Sequence, residues 1–169
     1  MEDQVTKIIR MREGGTTQRC HCFPHHGSYD VAQHSFHMLI LLEELHPDPP
    51  KKLYSAILRH DLFERWTGDT PSIIKRIVPE LRSTIIKAEK YVEQKTGIHQ
   101  PGTDKEGWLK ALDEIEFLMW TDDQIAMGNK IAELKREEVI TSLKRIQLPE
   151  PCQQFLRSYQ WERTRDDLE

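Results

Sequence analysis

The sequence predicts an all-α fold. Apolar residues recur at helical spacing along most of the chain, and no stretch alternates convincingly with a period of two. Proline, glycine and capping residues cut this pattern into helix-length pieces. Such pieces bury their apolar stripes by packing helix on helix, so a compact helical bundle is expected, a single domain spanning residues 1–169. No internal repeat, low-complexity tract or long linker divides it.

Val5, Ile8 and Ile9 mark a short amphipathic helix ending near Gly14-Gly15. Residues 16–29 are polar and aromatic without a period and read as an ordered loop. Asp30 is a suitable N-cap for a strongly apolar helix through Leu45, which Pro47, Pro49 and Pro50 terminate. The pattern predicts a third helix from about Lys51 to Glu64, with Leu53, Ala56, Ile57 and Leu58 inward. Thr67 to Pro71 is a turn, with Pro71 suited to the first position of a helix that runs to about Val78. Leu81 to Thr96 forms the next helix, closed by Gly97. After a loop at 98–103, Asp104 caps a helix carrying Trp108, Leu109, Leu112, Ile115, Phe117, Leu118 and Trp120. A long amphipathic helix is expected over 125–146, with Ile131, Leu134, Val139, Ile140 and Leu143. Pro149 and Pro151 interrupt, and a last helix covers about Cys152 to Arg165.

The chain carries 24 Lys and Arg against 28 Asp and Glu, so no strongly basic face points to duplex nucleic acid. A small phosphorylated ligand needs only a few placed cations and stays compatible. Met1 to Glu13 lacks the apolar run of a secretory signal, and the longest apolar stretch, Met38 to Leu42, is too short to span a bilayer. Cys20, Cys22 and Cys152 cannot form a paired disulfide framework. A reducing cytoplasm is the simplest setting. The apolar surface of helix 125–146 with Phe155, Tyr159 and Trp161 predicts a homo-oligomer.

Four residues ask for an explanation. His34 lies mid-helix between Ala32 and Phe36, where a histidine is more often a hydrogen-bonded core residue than a ligand. His60-Asp61 follows Leu58 and Arg59, and its ordinary reading is a surface dipeptide near a helix end. Asp113 sits between Leu112 and Ile115, where a carboxylate is costly unless paired or metal-bound. Taken together, two imidazoles and two carboxylates explain one another as ligands of Zn²⁺, Mn²⁺, Fe²⁺ or Co²⁺. Such an ion would activate water and neutralise charge on a phosphorus centre.

A histidine, then His-Asp, then a distant aspartate resembles the HD superfamily of metal-dependent phosphohydrolases. The stretch from His60 to Pro71 resembles the H-D-x-x-E-x-x-T-G-D-x-P segment of bacterial 5′-deoxynucleotidases. Val31-Ala32-Gln33-His34-Ser35 resembles their V-x-E/Q-H-S, and Lys110-Ala111-Leu112-Asp113 their K-x-x-D. The resemblance covers roughly residues 16–145. A shorter phage group, deoxyadenosine-triphosphate hydrolases accompanying 2-aminoadenine genomes, shares the pattern in single domains of about this size.

The resemblance implies His34, His60, Asp61 and Asp113 as metal ligands, and Glu64 and Asp69 as acidic catalytic positions. It places Arg19, Lys75 and Lys110 at phosphate-contacting positions and Cys20 at the nucleoside pocket. The ordinary reading of both lysines is a solvated helix surface, and of Arg19 a loop arginine. The implied cofactor is a divalent ion (Co, Zn or Mn), with Mg as a candidate second ion. The implied substrate is a 2′-deoxynucleotide, preferred over its ribonucleotide by a tight pocket at C2′. Three cations beside the metal point toward a triphosphate, with dATP as the family-implied base. The alternative is a 5′-deoxynucleotidase releasing phosphate from monophosphates. If phage-encoded, the protein would work in the host cytoplasm.

Cys20-His21-Cys22-Phe23-Pro24-His25-His26 is dense in soft ligands, but its spacing fits a structural zinc poorly and no second Cys pair follows. It reads better as a loop over the active site. Some relatives carry Trp where this chain has Cys20, so Phe23 or Trp66 would have to supply any lost stacking. Two further classes compete with the enzyme: a nucleotide-sensing HD domain without turnover, and a helical interaction protein. The complete polar constellation favours the enzyme.

Overall fold

The computed structural model of the protein describes residues 3–99, 104, 106–159 and 161. Nine α-helices form among them and no extended strand, so the predicted all-α class holds. Helix α1 spans Gln4–Gly14 and α2 Val31–Leu45, each opened by an aspartate. Asp3 accepts from the Thr6 N–H, and Asp30 from the Gln33 N–H at 2.8 Å, so the predicted Asp30 cap is present. Between them the loop is closed at its base by an isolated antiparallel bridge of Gln18 with Asp30. The Arg19 N–H donates to the Tyr29 carbonyl at 2.8 Å.

The third helix departs from the prediction. Helix α3 covers only Lys51–Ile57, and turns then carry the chain to the short α4, Glu64–Thr67. Leu58, expected inward, is 52% exposed. Two separate cores explain the break. Leu53, Ala56 and Ile57 enter the main core, whereas Leu62 and Phe63 enter a second one with Ile98, Met11, Trp66 and Val92. A straight helix cannot serve both, so the chain turns at 58–63, and His60-Asp61 lands on the seam between them.

Helix α5 spans Ser72–Ile77 with Pro71 at its N-cap, one position before the predicted place. Helix α6, Pro79–Thr96, begins two residues earlier than expected and ends on Gly97. Helix α7, Trp108–Ala126, has Gly107 as its N-cap, but Asp104 still accepts from the Leu109 N–H at 2.7 Å. The single long helix expected over 125–146 does not form. Its start belongs to α7, Gly128 turns the chain at φ +88°, and α8 covers Ala132–Leu143. Ile131 and Leu134 are exposed, whereas Val139 and Leu143 enter the main core.

Helix α9 spans Glu150–Tyr159, with Pro151 inside its first turn, where a missing N–H costs nothing. Position 160 and residues 162–165 of the expected last helix lie outside the described residues. Phe155, Tyr159 and Trp161 pack against the main core and are partly buried there.

Helix α7 organises the main core, packing against α2, α3, α8 and α9. Its Ala111, Leu112, Ile115 and Leu118 are fully buried. At the other end, α1 meets the turn before α4 at close range. A methyl group on Gly14 would lie 2.6 Å from Leu62 Cδ1 and 3.0 Å from the Leu62 carbonyl oxygen. Gly14→Ala should therefore push α1 off the second core and cost about 1–3 kcal/mol. Thermal unfolding checks this; an unchanged melting temperature would contradict the close approach.

Candidate metal centre

Four parts of the fold converge on one cluster. Helix α2 supplies His34, the turn after α3 supplies His60 and Asp61, α7 supplies Asp113, and the loop before α2 supplies Arg19. His34 is fully buried, and its Nε2 lies 3.2 Å from His60 Nε2, 3.3 Å from Asp113 Oδ1 and 4.0 Å from Asp61 Oδ2. His60 Nε2 is 3.2 Å from Asp61 Oδ2. The four residues that looked out of place in sequence are thus neighbours in space.

The imidazole protons can be assigned from their partners. His60 Nδ1 lies 2.7 Å from the Ile57 carbonyl, which can only accept, so this nitrogen carries the proton. His34 Nδ1 lies against the Glu116 carboxylate, again an acceptor. The two Nε2 atoms face one another with Asp61 and Asp113 beside them, and against burial these carboxylates push His60 up to about 9. A divalent cation held by the same nitrogens and carboxylates would take the place of that added His60 proton. The donor set fits a divalent metal: ligand atoms of His34, His60 and Asp61 all lie within 4.8 Å of one another. Among the described residues no other His, Cys, Asp or Glu group meets this criterion, and the Cys20–His26 stretch does not assemble a second metal site.

The Arg19 guanidinium closes the cluster. Its Nη1 pairs with Asp61 and its Nη2 lies 3.8 Å from Asp113 Oδ1, while the group lies 5.4 Å from the centre of the Tyr29 ring. Burial works against its charge, but Asp61 and the other carboxylates outweigh burial and hold it above the usual arginine value. Burial likewise opposes the Asp61 charge, yet His60 and Arg19 bring that carboxylate down to about 2. Asp113 is also held well below its ordinary value, against burial, by His34 and Lys110. Glu64 goes the opposite way. Burial, with the negative charges of Asp61 and Asp69 beside it, pushes its carboxyl up to about 8.

Two polar atoms here are buried without a hydrogen-bond partner, Arg19 Nε and Glu64 Oε2. Buried donors and acceptors are nearly always satisfied, so this pair marks a place where another molecule completes the bonding.

The remaining sequence candidates divide. Asp69 Oδ2 accepts from the Cys20 N–H at 2.8 Å, tying the Arg19 loop to the turn before α5. Cys20 itself holds φ +54°, and burial lifts its thiol to about 12, so it presents a neutral surface. Lys110 pairs with Asp113 at 3.0 Å and Glu114 at 2.6 Å. Lys75 is half-buried on α5 and bears electrostatically on Glu64. Trp66 packs with Phe63 in the second core and Phe23 lies 6.3 Å from Trp120, so each already has a ring neighbour in the protein. The loop that carries Phe23 is pinned from α7: Gln124 accepts from the His26 N–H at 2.7 Å, and Asn129 donates to the Pro24 carbonyl at 2.8 Å.

Sequence reasoning missed Glu116 and Tyr29. Glu116 is 3% exposed, three residues after Asp113 on the same face of α7. A glutamate between Ile115 and Phe117 carried the same signal that singled out Asp113.

An all-α bundle with His34, His60-Asp61 and Asp113 brought together at its centre defines a protein of the HD-domain class. Residues 5–112 match the family model described as 5′-deoxynucleotidase YfbR-like, and the chain belongs to that family. The matched stretch contains each sequence candidate except Asp113, which follows its last residue. The crystal structure of PH0347 protein from Pyrococcus horikoshii OT3 shares the fold, with a TM-score of 0.69 and 20% identity. That match covers 92% of this chain and 97% of the other. No curated protein matches the chain in sequence.

Proposed function

We propose that the protein is a metal-dependent phosphohydrolase of 2′-deoxynucleotides. One observation carries the reading: three donors suited to a divalent metal lie within 4.8 Å of one another, beside a buried arginine with an unpartnered N–H. Membership of a family described as 5′-deoxynucleotidases supplies the substrate class.

In this reading His34, His60, Asp61 and Asp113 hold the ion, which when bound supplies Lewis acidity at the phosphoryl group. Arg19 donates to phosphate oxygens and leaves its pairing with Asp61 to do so, since a cation held by that carboxylate takes over its charge. Lys75 and Lys110 add positive charge at the same end of the substrate. Glu64, with its carboxyl raised to about 8, carries a proton at neutral pH and delivers it to the departing 5′-oxygen. Asp69 holds the Arg19–Cys20 backbone in place, and Cys20 contributes a wall of the nucleoside pocket.

The charge balance favours a monophosphate. Arg19 and Lys110 are already paired with Asp61, Asp113 and Glu114, so a substrate with roughly two negative charges is easier to neutralise than one with about four. The triphosphate reading, with dATP as substrate, is the second one. It rests on three cations around the cluster: Arg19 at Asp61 and Asp113, Lys110 at Asp113 and Glu114, and Lys75 acting on Glu64. A symmetric homo-oligomer in a reducing cytoplasm completes the proposal.

The test is to incubate the metal-loaded protein with matched deoxy- and ribonucleoside mono- and triphosphates and separate the products. Release of inorganic phosphate from deoxynucleoside monophosphates is the expected result, with ribonucleotides much poorer substrates. Triphosphate release from dATP, with dAMP inert, would establish the second reading. Equal turnover of matched ribo- and deoxyribonucleotides would contradict the deoxynucleotide assignment.

A further inference from the structure

Glu116 lies deeper than any of the residues assigned above except His34. A carboxylate at 3% exposure is costly unless several donors reach it, and three groups surround this one. The Tyr29 hydroxyl donates to its Oε2 at 2.5 Å. His34 Nδ1 contacts the same oxygen, and His37 Nδ1 lies 3.3 Å from Oε1. The Tyr29 hydroxyl also lies 3.1 Å from His34 Nδ1, and its ring stacks on Trp120 at 4.5 Å. The carboxylate is thus held by a rigid aromatic wall on one side and the His34 ring on the other.

We infer that Glu116, steadied by Tyr29, is the positioning residue of the metal centre: it takes the Nδ1 proton of His34 and so fixes Nε2 as the ligand nitrogen. His60 solves the same problem with a backbone acceptor, the Ile57 carbonyl at 2.7 Å. His34 lies in the first turn of α2, where the carbonyls around it accept from the helix's own N–H groups, so the acceptor has to come from another element. Helix α7 provides it one turn beyond Asp113, so the same helix face supplies one group to the cluster and one behind it. A carboxylate behind a ligating imidazole fixes the ring's tautomer and orientation and raises its basicity.

The inference rests on the proposed metal centre but not on the substrate. Glu116→Gln is the direct test, because the amide keeps the size and can present N–H instead of oxygen to Nδ1. Its affinity for Zn²⁺, measured by competition with a chromophoric chelator, should fall roughly 10- to 100-fold. In the metal-free protein, nitrogen-15 NMR of the His34 ring should show a protonated Nδ1 in the wild type and a mixture of tautomers in the variant. A residue that merely filled space would shift the melting temperature but not the tautomer. Glu116→Asp keeps the charge while withdrawing it by one methylene; it should also lose affinity, and it carries the same reading if Glu116→Gln fails to fold. Wild-type Zn²⁺ affinity in the variant, or an unprotonated Nδ1 in the wild type, would overturn the inference. Tight Zn²⁺ binding by the wild type without turnover of any deoxynucleotide would instead sink the proposed reaction and leave Glu116's role intact.

Discussion

Asp61→Ala is expected to abolish turnover and to strip the protein of its metal. Asp61 is the hub of the cluster: its Oδ2 lies 3.2 Å from His60 Nε2 and pairs with Arg19. Its carboxyl, held at about 2, stays ionised across the whole working range of pH. Removing it takes away a ligand and leaves the Arg19 cation buried with one fewer counter-charge. His34→Ala should do the same to metal content, because it removes the fully buried nitrogen that faces both His60 and Asp113. Metal analysis of each purified variant checks the binding half, and a product assay checks the other. Either variant keeping full metal occupancy and the wild-type rate would mean that the centre lies elsewhere.

Glu64→Gln is expected to cost roughly 10²–10⁴-fold in rate, the range for losing a positioned general acid. The wild type should lose activity on the alkaline side, where this carboxyl, raised by burial and by Asp61 and Asp69, gives up its proton, and the variant should lack that limb. Stability follows the same group. Its folded pKa is raised above the ordinary 4.5, so the folded state binds the extra proton between the two values. Its contribution is therefore present below about 4.5 and is lost as pH rises toward about 8. In metal-free protein, Glu64→Gln should unfold at a higher temperature than the wild type at pH 8.5 and at nearly the same one near pH 5. A wild type whose alkaline limb survives the substitution would remove Glu64 from the proton-transfer step.

The helical class and the neighbourhood of His34, His60, Asp61 and Asp113 were legible in the chain for a simple physical reason. Polar groups among apolar neighbours need partners, and these four are one another's partners. The Asp30 cap was legible because capping is local chemistry. Tertiary demands hid the rest. Leu58 continues the period of Leu53 and Ile57, so the sequence alone extends α3, but Leu62 and Phe63 belong to a different core and the chain must turn. Gly128 divides what the period reads as one helix, since a single glycine is tolerated in many helices and only its positive φ reveals a turn. Phe155, Tyr159 and Trp161 looked like surplus apolar surface because nothing local shows that α9 folds back on α2 and α7. Glu116 escaped because no motif of the family resemblance falls on it, although its place between Ile115 and Phe117 carried the signal that singled out Asp113.

The most direct measurement of the central claim uses wild-type protein stripped of metal with a chelator and then titrated with Zn²⁺, Mn²⁺ or Co²⁺. Hydrolysis of dAMP and dATP is followed at each step. Turnover of a deoxynucleotide should be absent from the stripped protein and return in proportion to metal bound, reaching its plateau when the His34–His60–Asp61 centre is full. Undiminished hydrolysis by fully stripped protein, or no hydrolysis of any deoxynucleotide with the centre fully loaded, would contradict it.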